Sequence, residues 1–296
     1  MIPIMPDCEI TLEGNPDSLD VSRIRGYVDA GANRLSVGVQ SFIDHSLKRL
    51  GRLHNSAEAE RALRQAREAG VRNLSLDLMY GLPGSLPGEE IASLRHAIEL
   101  SPDHISWYNL TLAADTPLAA SIDQGHELMP DDDMILATMR EGWNLLAAGG
   151  FEHYEISNFA RHGLVSQHNL AYWLFTEYVG LGLGASGFVS GRRWTNVTDM
   201  GRYLLAISED RLPAKSEERL EGRLREGEYA MLRMRLPDAG LSFAAFDDLF
   251  SEDARVVFRG ALDQLVDDGL VIILEDRAVC TQKGLELNNL VAEAFI

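Results

Sequence analysis

Cysteine is almost missing from this chain: two in 296 residues, Cys8 and Cys280, near opposite ends. Two thiols so placed build neither a disulfide framework nor a four-thiolate metal site, and a reducing compartment is the simplest setting. Basic charge is scarce as well. Lysine and arginine together number 27 against 45 acidic residues, leaving a net charge of −18. Such a surface repels phosphate backbones and anionic lipid headgroups, which makes nucleic acid and membrane poor partners. No apolar run is long enough to span a bilayer. The start, Met1-Ile2-Pro3-Ile4-Met5-Pro6, has neither the basic n-region nor the apolar h-region of an export signal, so a cytoplasmic location is expected. Fixed-period repeats and low-complexity tracts are absent too.

What the chain does have is apolar bulk. At 46% hydrophobic it can bury a core large enough for one large domain, or one large and one small. From Glu9 to about Leu112, β-rich runs alternate with amphipathic helical stretches, the signature of right-handed βαβ units in an α/β fold. Helices are predicted over 17–30, 56–69 with Ser56 as N-cap, 87–100 and 131–148. Gly31, Gly70 and Gly149-Gly150 stop three of them. A strand over 152–157 completes this portion, and a loop-rich stretch with Gly180, Gly182, Gly184 and Gly187 follows it. Helices over 243–250 and 254–268, then β-runs over 270–274 and 278–281, suggest a small α+β winged-helix-like module. On so acidic a chain, such a module suits packing against protein better than DNA. The expected domains are 1–196 and 197–296.

One β-run after another ends in a polar residue. Glu13, Gln40, Asp77 and Thr111 close four of them, and in βα folds the downstream strand ends gather on one rim, where active sites lie. Glu13, Gln40, Arg52 and Asp77 form a mixed-charge set suited to a zwitterion bearing hydroxyls: carboxylates for an ammonium or a ribose diol, a guanidinium for a carboxylate. Each residue alone is equally readable as a satisfied strand end, and Glu13 with Asp77 as the acid and base of an unrelated barrel enzyme. In Asp77-Leu78-Met79-Tyr80-Gly81-Leu82-Pro83-Gly84 a tight turn explains the glycines and the proline but not the aspartate. His168 stands one helical turn before Tyr172-Trp173. It is either an imidazole for metal or haem iron or the polar cap of an aromatic cluster. The run Gly180 to Gly187 lacks the lysine of a phosphate loop and suits close approach to an adenine or porphyrin edge, or simply a kinked strand.

Several of these blocks together resemble the oxygen-independent coproporphyrinogen III oxidase-like radical SAM family. They are Glu9 to Pro16, Asn33 to Phe42, Leu50-Gly51-Arg52, Asp77 to Gly84, His153 to Ser157 and His168 to Trp173. The His-Asn-x-x-Tyr-Trp block is similar to that of the family's haem-chaperone branch, and the resemblance covers nearly the whole chain. It implies a partial TIM-like (β/α) barrel that binds S-adenosylmethionine and a [4Fe-4S] cluster, with the family's own C-terminal domain appended. Glu13, Gln40, Arg52, Asp77, Thr111 and Ser186 then match its S-adenosylmethionine contacts. His168 becomes a candidate for haem, haem or a porphyrin the second ligand, and a haem-acceptor protein a possible partner. Ser186 departs from the branch, which often has histidine after the Gly-Ala pair.

A larger departure lies at the front. The family holds its cluster with Cys-x-x-x-Cys-x-x-Cys after the first strand and has a glycine-rich segment after the second; this sequence contains neither. It looks like the family without its first two βα units. Reductive cleavage of S-adenosylmethionine needs an iron with an open position held by three thiolates. We therefore expect the recombinant chain to stay colourless after anaerobic reconstitution with iron and sulfide. A [4Fe-4S] absorption spectrum at full occupancy would overturn this.

Overall fold

A computed structural model of the chain describes residues 5–114 and 116–296, so Met1 to Ile4, the first part of the start read above for export signals, lie outside the described residues. The chain divides after Ser166 into two compact units. Among the described residues no helix is long and apolar enough to cross a membrane.

The first unit is built on β1 (Thr11–Gly14), β2 (Arg34–Gln40), β3 (Asn73–Tyr80), β4 (His104–Asn109), β5 (Glu152–Glu155) and β6 (Asn158–Ala160), in the sheet order β1-β2-β3-β4-β6-β5. β1 to β4 are parallel. Between and after them run α1 (Val21–Asp29), α2 (Asp44–Arg49), α3 (Ser56–Glu68), α4 (Glu89–Glu99), α5 (Pro117–Asp123) and α6 (Asp132–Ala148). The βα alternation was legible; α2 and α5 are too short to carry a periodic signal. The single strand predicted over 152–157 is instead a hairpin, with β6 antiparallel to both β4 and β5. The N-cap of α3 is Asn55 rather than Ser56. Its side chain accepts from Glu58 N while Glu58 reaches back to the Asn55 N–H, a reciprocal capping box that makes Ser56 the first helical residue.

Side chains alternate across a strand, and here the two faces differ in kind. Leu35, Val37 and Val39 of β2, Leu74, Leu76 and Leu78 of β3, and Ile105 and Trp107 of β4 share one buried core with Ala59, Ala62 and Ala66 of α3. The intervening residues, Ser36, Ser75, Asp77, His104, Ser106 and Tyr108, are polar and bond to one another across strands. Low on that face the Ser75 Oγ lies 2.8 Å from His104 Nδ1, and His104 Nε2 lies 2.8 Å from the Tyr154 hydroxyl. Burial, with the Arg34 cation adding to it, pushes the His104 pKa down to about 3, so the imidazole is neutral and works as a hydrogen-bonding spacer.

The second unit opens with α7 (Gln167–Trp173), then β7 (Ser186–Val189), β8 (Arg192–Asn196), α8 (Met200–Ser208) and β9 (Ala214–Arg219), whose strands form an antiparallel sheet. A boundary at 196 would split β8 from β9, which pair from Arg192↔Arg219 to Asn196↔Ala214. α9 (Gly222–Arg233), β10 (Leu241–Ser242), α10 (Phe243–Phe250), α11 (Ala254–Val257), α12 (Arg259–Asp267), β11 (Val271–Ile273), β12 (Arg277–Cys280), α13 (Gln282–Glu286) and α14 (Asn288–Glu293) follow, with a small sheet in the order β10-β12-β11. Tyr229, Phe246, Phe258, Leu262 and Phe295 centre their core. The helix predicted over 254–268 is interrupted at Phe258, whose φ of −108° and ψ of 23° lie outside the helical well.

One close approach sets the seat of α6 on the sheet. A β-carbon added at Gly142 would run into Nε1 of Trp107, a side chain 1% exposed, and stand 3.3 Å from Leu94. Gly142→Ala gains helix propensity but forces a buried ring to move, for a net loss of roughly 1–2 kcal/mol. A urea midpoint equal to or above the parent's would show that the contact relaxes freely.

Candidate functional site

The rim group takes shape from the downstream ends of the parallel strands. Asp77 lies inside β3 rather than after it, on the polar face, where it accepts hydrogen bonds from the hydroxyls of Ser106 (2.7 Å) and Ser36 (3.2 Å) on the flanking strands. Glu13 likewise falls within β1, exposed, and close enough to Asp77 for its charge to act on that carboxyl.

Gln40 ends β2 and is 4% exposed. Pairing with β3 shifts between Val37↔Leu76 and Gln40↔Leu78, one extra residue on β2, and Gln40 takes the left-handed conformation at φ 67°. Bulges of this kind turn a side chain out of the strict alternation, and the left-handed well disfavours glutamine by about 1 kcal/mol. Its amide is held at the oxygen end. The Tyr108 hydroxyl donates to Oε1 at 2.7 Å, and Nε2 occupies the space beside Gly38, 2.8 Å from where a β-carbon would stand. Asn15 Oδ1 is 3.3 Å from the same point and accepts from Arg52 Nη1 at 3.2 Å.

Tyr108 is thus the hub. Burial, helped by the Asp77 and Glu13 charges and opposed by Arg52, pushes its pKa up to about 12. Glu13, Gln40, Arg52 and Asp77, named separately from the sequence, all act on this one phenol. Tyr108 and Asn15 were missed. The alternation His104-Ile105-Ser106-Trp107-Tyr108 was the available signal, since it puts Tyr108 on the face of Asp77.

The remaining named residues have no described contact with this phenol. Thr111 is exposed, two residues beyond the end of β4. Ser186 begins β7 in the second unit, where its Oγ lies 3.0 Å from Thr195 Oγ1. His168 stands exposed on α7, its ring edge-on to Tyr172 at 4.9 Å, and Tyr172 is edge-on to Tyr178 at 4.6 Å. Arg235 lies over the Trp173 ring at 4.7 Å, while the Trp173 indole N–H is buried without a partner among the described residues.

These groups fit some ligands and not others. Two carboxylates, an amide, a guanidinium and a phenol within one cluster match a zwitterion with hydroxyls. An iron–sulfur cluster does not fit. Cys8 is exposed at the head of the first unit, Cys280 is buried in the second with its thiol pKa pushed up to about 11, and among the described residues no three His, Cys, Asp or Glu side chains converge as metal ligands.

Comparison with known proteins gives a consistent answer. A Radical SAM superfamily model matches residues 2–97, and a HemN C-terminal domain model matches residues 227–287. Heme chaperone HemW of Escherichia coli (strain K12) is 37% identical across 100% of this chain and 76% of its own length. The Bacillus subtilis (strain 168) protein of the same name is 33% identical across 97% of this chain and 76% of its own. Among solved structures, coproporphyrinogen III oxidase (HemN) from Escherichia coli, described as a radical SAM enzyme, superposes with a TM-score of 0.81 over 98% of this chain and 70% of its own, at 22% identity. The fold is therefore the α/β fold of that structure.

Burial raises the Asp77 carboxyl above the ordinary range, the Glu13 charge adds to this, and the two hydroxyl donors and Arg34 oppose it. A carboxyl with a raised folded pKa binds its proton more tightly in the folded state. Its burial penalty is therefore absent below the unfolded pKa, near 3.8, and complete above the folded one. Asp77→Asn keeps an oxygen for both serines and loses the buried charge. The variant should be more stable than the parent at pH 7, with the gap closing as urea melts are taken down towards pH 3. An equal gap at both pH values would place the effect elsewhere.

Proposed function

The chain belongs to the HemW branch of the HemN-like radical SAM family, and on that premise we propose that it is a haem- or porphyrin-handling protein whose rim binds an adenosyl ligand of the S-adenosylmethionine type. The Tyr108–Gln40 and Arg52–Asn15 hydrogen bonds, whose Gln40 and Asn15 ends both border the space beside Gly38, together with Asp77 on the strand face of Tyr108, carry this reading. Glu13 and Asp77 accept from a ribose diol or an ammonium, and Arg52 and the Gln40 amide donate to a carboxylate. Thr111, two residues past the end of β4, is a further contact on the same reading. The first unit is then a segment of a TIM-like barrel, and the second carries a winged-helix-like module over its last hundred or so residues.

In the family, a [4Fe-4S] cluster supplies the electron for radical chemistry. The residues of this chain hold and orient the adenosyl moiety and exclude water beneath it, since the floor under Asp77 is sealed by Ser75, His104 and Tyr154. Haem is the second ligand, with the His168 imidazole as its candidate axial group and Tyr172 and Trp173 flanking the macrocycle. A protein that accepts haem, in the cytoplasm, completes the proposed cycle. The scarcity of thiols favours a second reading for this chain: haem or partner binding with no catalytic step.

Calorimetric titration with S-adenosylmethionine should register binding by the parent and a loss of about tenfold or more in Arg52→Ala, as expected when one charge-assisted hydrogen-bonding group is removed. His168→Ala should abolish the Soret shift on haem addition while leaving S-adenosylmethionine affinity unchanged. A parent with no Soret shift would remove the haem assignment, and equal affinity in Arg52→Ala the adenosyl one.

A further inference from the structure

The geometry assigns to Tyr108 a positioning role: its hydroxyl fixes which end of the Gln40 amide faces the ligand, and so lets the rim select an adenosyl ligand bearing a carboxylate over one without. The role rests on the adenosyl-binding reading of the rim. A glutamine amide has an acceptor end and a donor end of nearly equal size, and without neighbours it takes either orientation. Here the neighbours impose one. Arg52 donates to Asn15 Oδ1 and so commits that side chain to present an oxygen. The oxygen borders the space beside Gly38, and Gln40 Nε2, a donor, borders it too. At the other end, the single proton of the Tyr108 hydroxyl is donated to Gln40 Oε1 at 2.7 Å. Oε1 is thereby engaged, and what Gln40 has left to offer is N–H, on the side of Asn15, whose Oδ1 accepts from Arg52. Amide N–H and guanidinium are both donors to a carboxylate. A flipped amide would bring a carbonyl oxygen towards that carboxylate, an unfavourable contact that the Tyr108 bond prevents.

The position of the phenol explains why a tyrosine suits this task. It stands on the face shared with Asp77 and within the fields of both Asp77 and Glu13, and burial raises its pKa, so it keeps its proton throughout the physiological range, and that buried proton is satisfied by the Gln40 oxygen. Phenylalanine would fill the same volume and leave the amide free to turn. Because Gln40 sits in a bulge with a left-handed backbone, the rest of its side chain is already committed, and the terminal amide torsion is the freedom Tyr108 removes.

Tyr108→Phe is tested by calorimetry with two probes, S-adenosylhomocysteine, which carries the amino-acid carboxylate, and 5′-methylthioadenosine, which lacks it. The variant should lose about fivefold in affinity for the first, the effect of one neutral hydrogen bond, and change little for the second. In a Gln40→Ala background the same substitution should cause no further loss, because its partner is already gone. Equal losses for both probes, or a loss that persists without Gln40, would make Tyr108 a merely structural residue and overturn the assignment. If the parent binds neither probe, the adenosyl reading itself fails. The hydrogen bond is then read in the ligand-free protein from the Gln40 side-chain amide resonances, which Tyr108→Phe must shift if the bond exists and which stay in place if it does not.

Discussion

The strict alternation of side chains along β2, β3 and β4 is the constraint on which this molecule depends. One face of each strand is spent on Leu, Val, Ile and Trp packed against the helices, and the other is left to serine, aspartate, histidine and tyrosine. Parallel sheets covered on both sides usually read as continuous apolar runs, because both faces are dry. The polar face here is stable only because its members satisfy one another across strands: Ser36 and Ser106 on Asp77, Ser75 on His104, His104 on Tyr154. Removing one partner from such a network leaves a buried polar group without compensation, which is costlier than the bond itself.

On that platform the polar face concentrates features that oppose stability. Gln40 at its downstream end occupies a left-handed well, Asp77 holds a carboxyl that burial disfavours in its charged form, and Arg34 at the upstream end of β2, 5% exposed, has an Nε with no hydrogen-bond partner among the described residues. A core made only for stability would replace these with aliphatic residues. Their concentration on one face is the pattern of a site maintained for a ligand at the expense of the fold.

The family relationship and the thiol inventory bear on different parts of the chemistry. The rim residues that recur in the family's motifs carry groups suited to a nucleoside with an amino-acid tail, whereas the two cysteines, one exposed and one buried, are too few to hold an iron–sulfur cluster by themselves. Binding and redox chemistry are thereby separable in this chain. The aromatic group around His168 is separable too, since it belongs to the second unit and is organised by contacts within it.

Local pattern determined much of the outcome. The βα order, the start of α6 at the Asp131 to Asp133 run, α10 and the ribbon of β11 and β12 were all readable, because periodicity and capping act between residues close in sequence. So were Glu13, Gln40, Arg52 and Asp77 as a set, through strand-end position and family motif. What the sequence could not express is whatever depends on non-local pairing: β6 slotting antiparallel between β4 and β5, the ladder that carries 192–196 into the second unit, and the bulge that turns Gln40. Tyr108 is the clearest case. The local alternation puts it on the polar face but cannot name its partner, which stands 68 residues away, and only the registration of β4 beside β3, and β3 beside β2, brings that hydroxyl to the Gln40 amide.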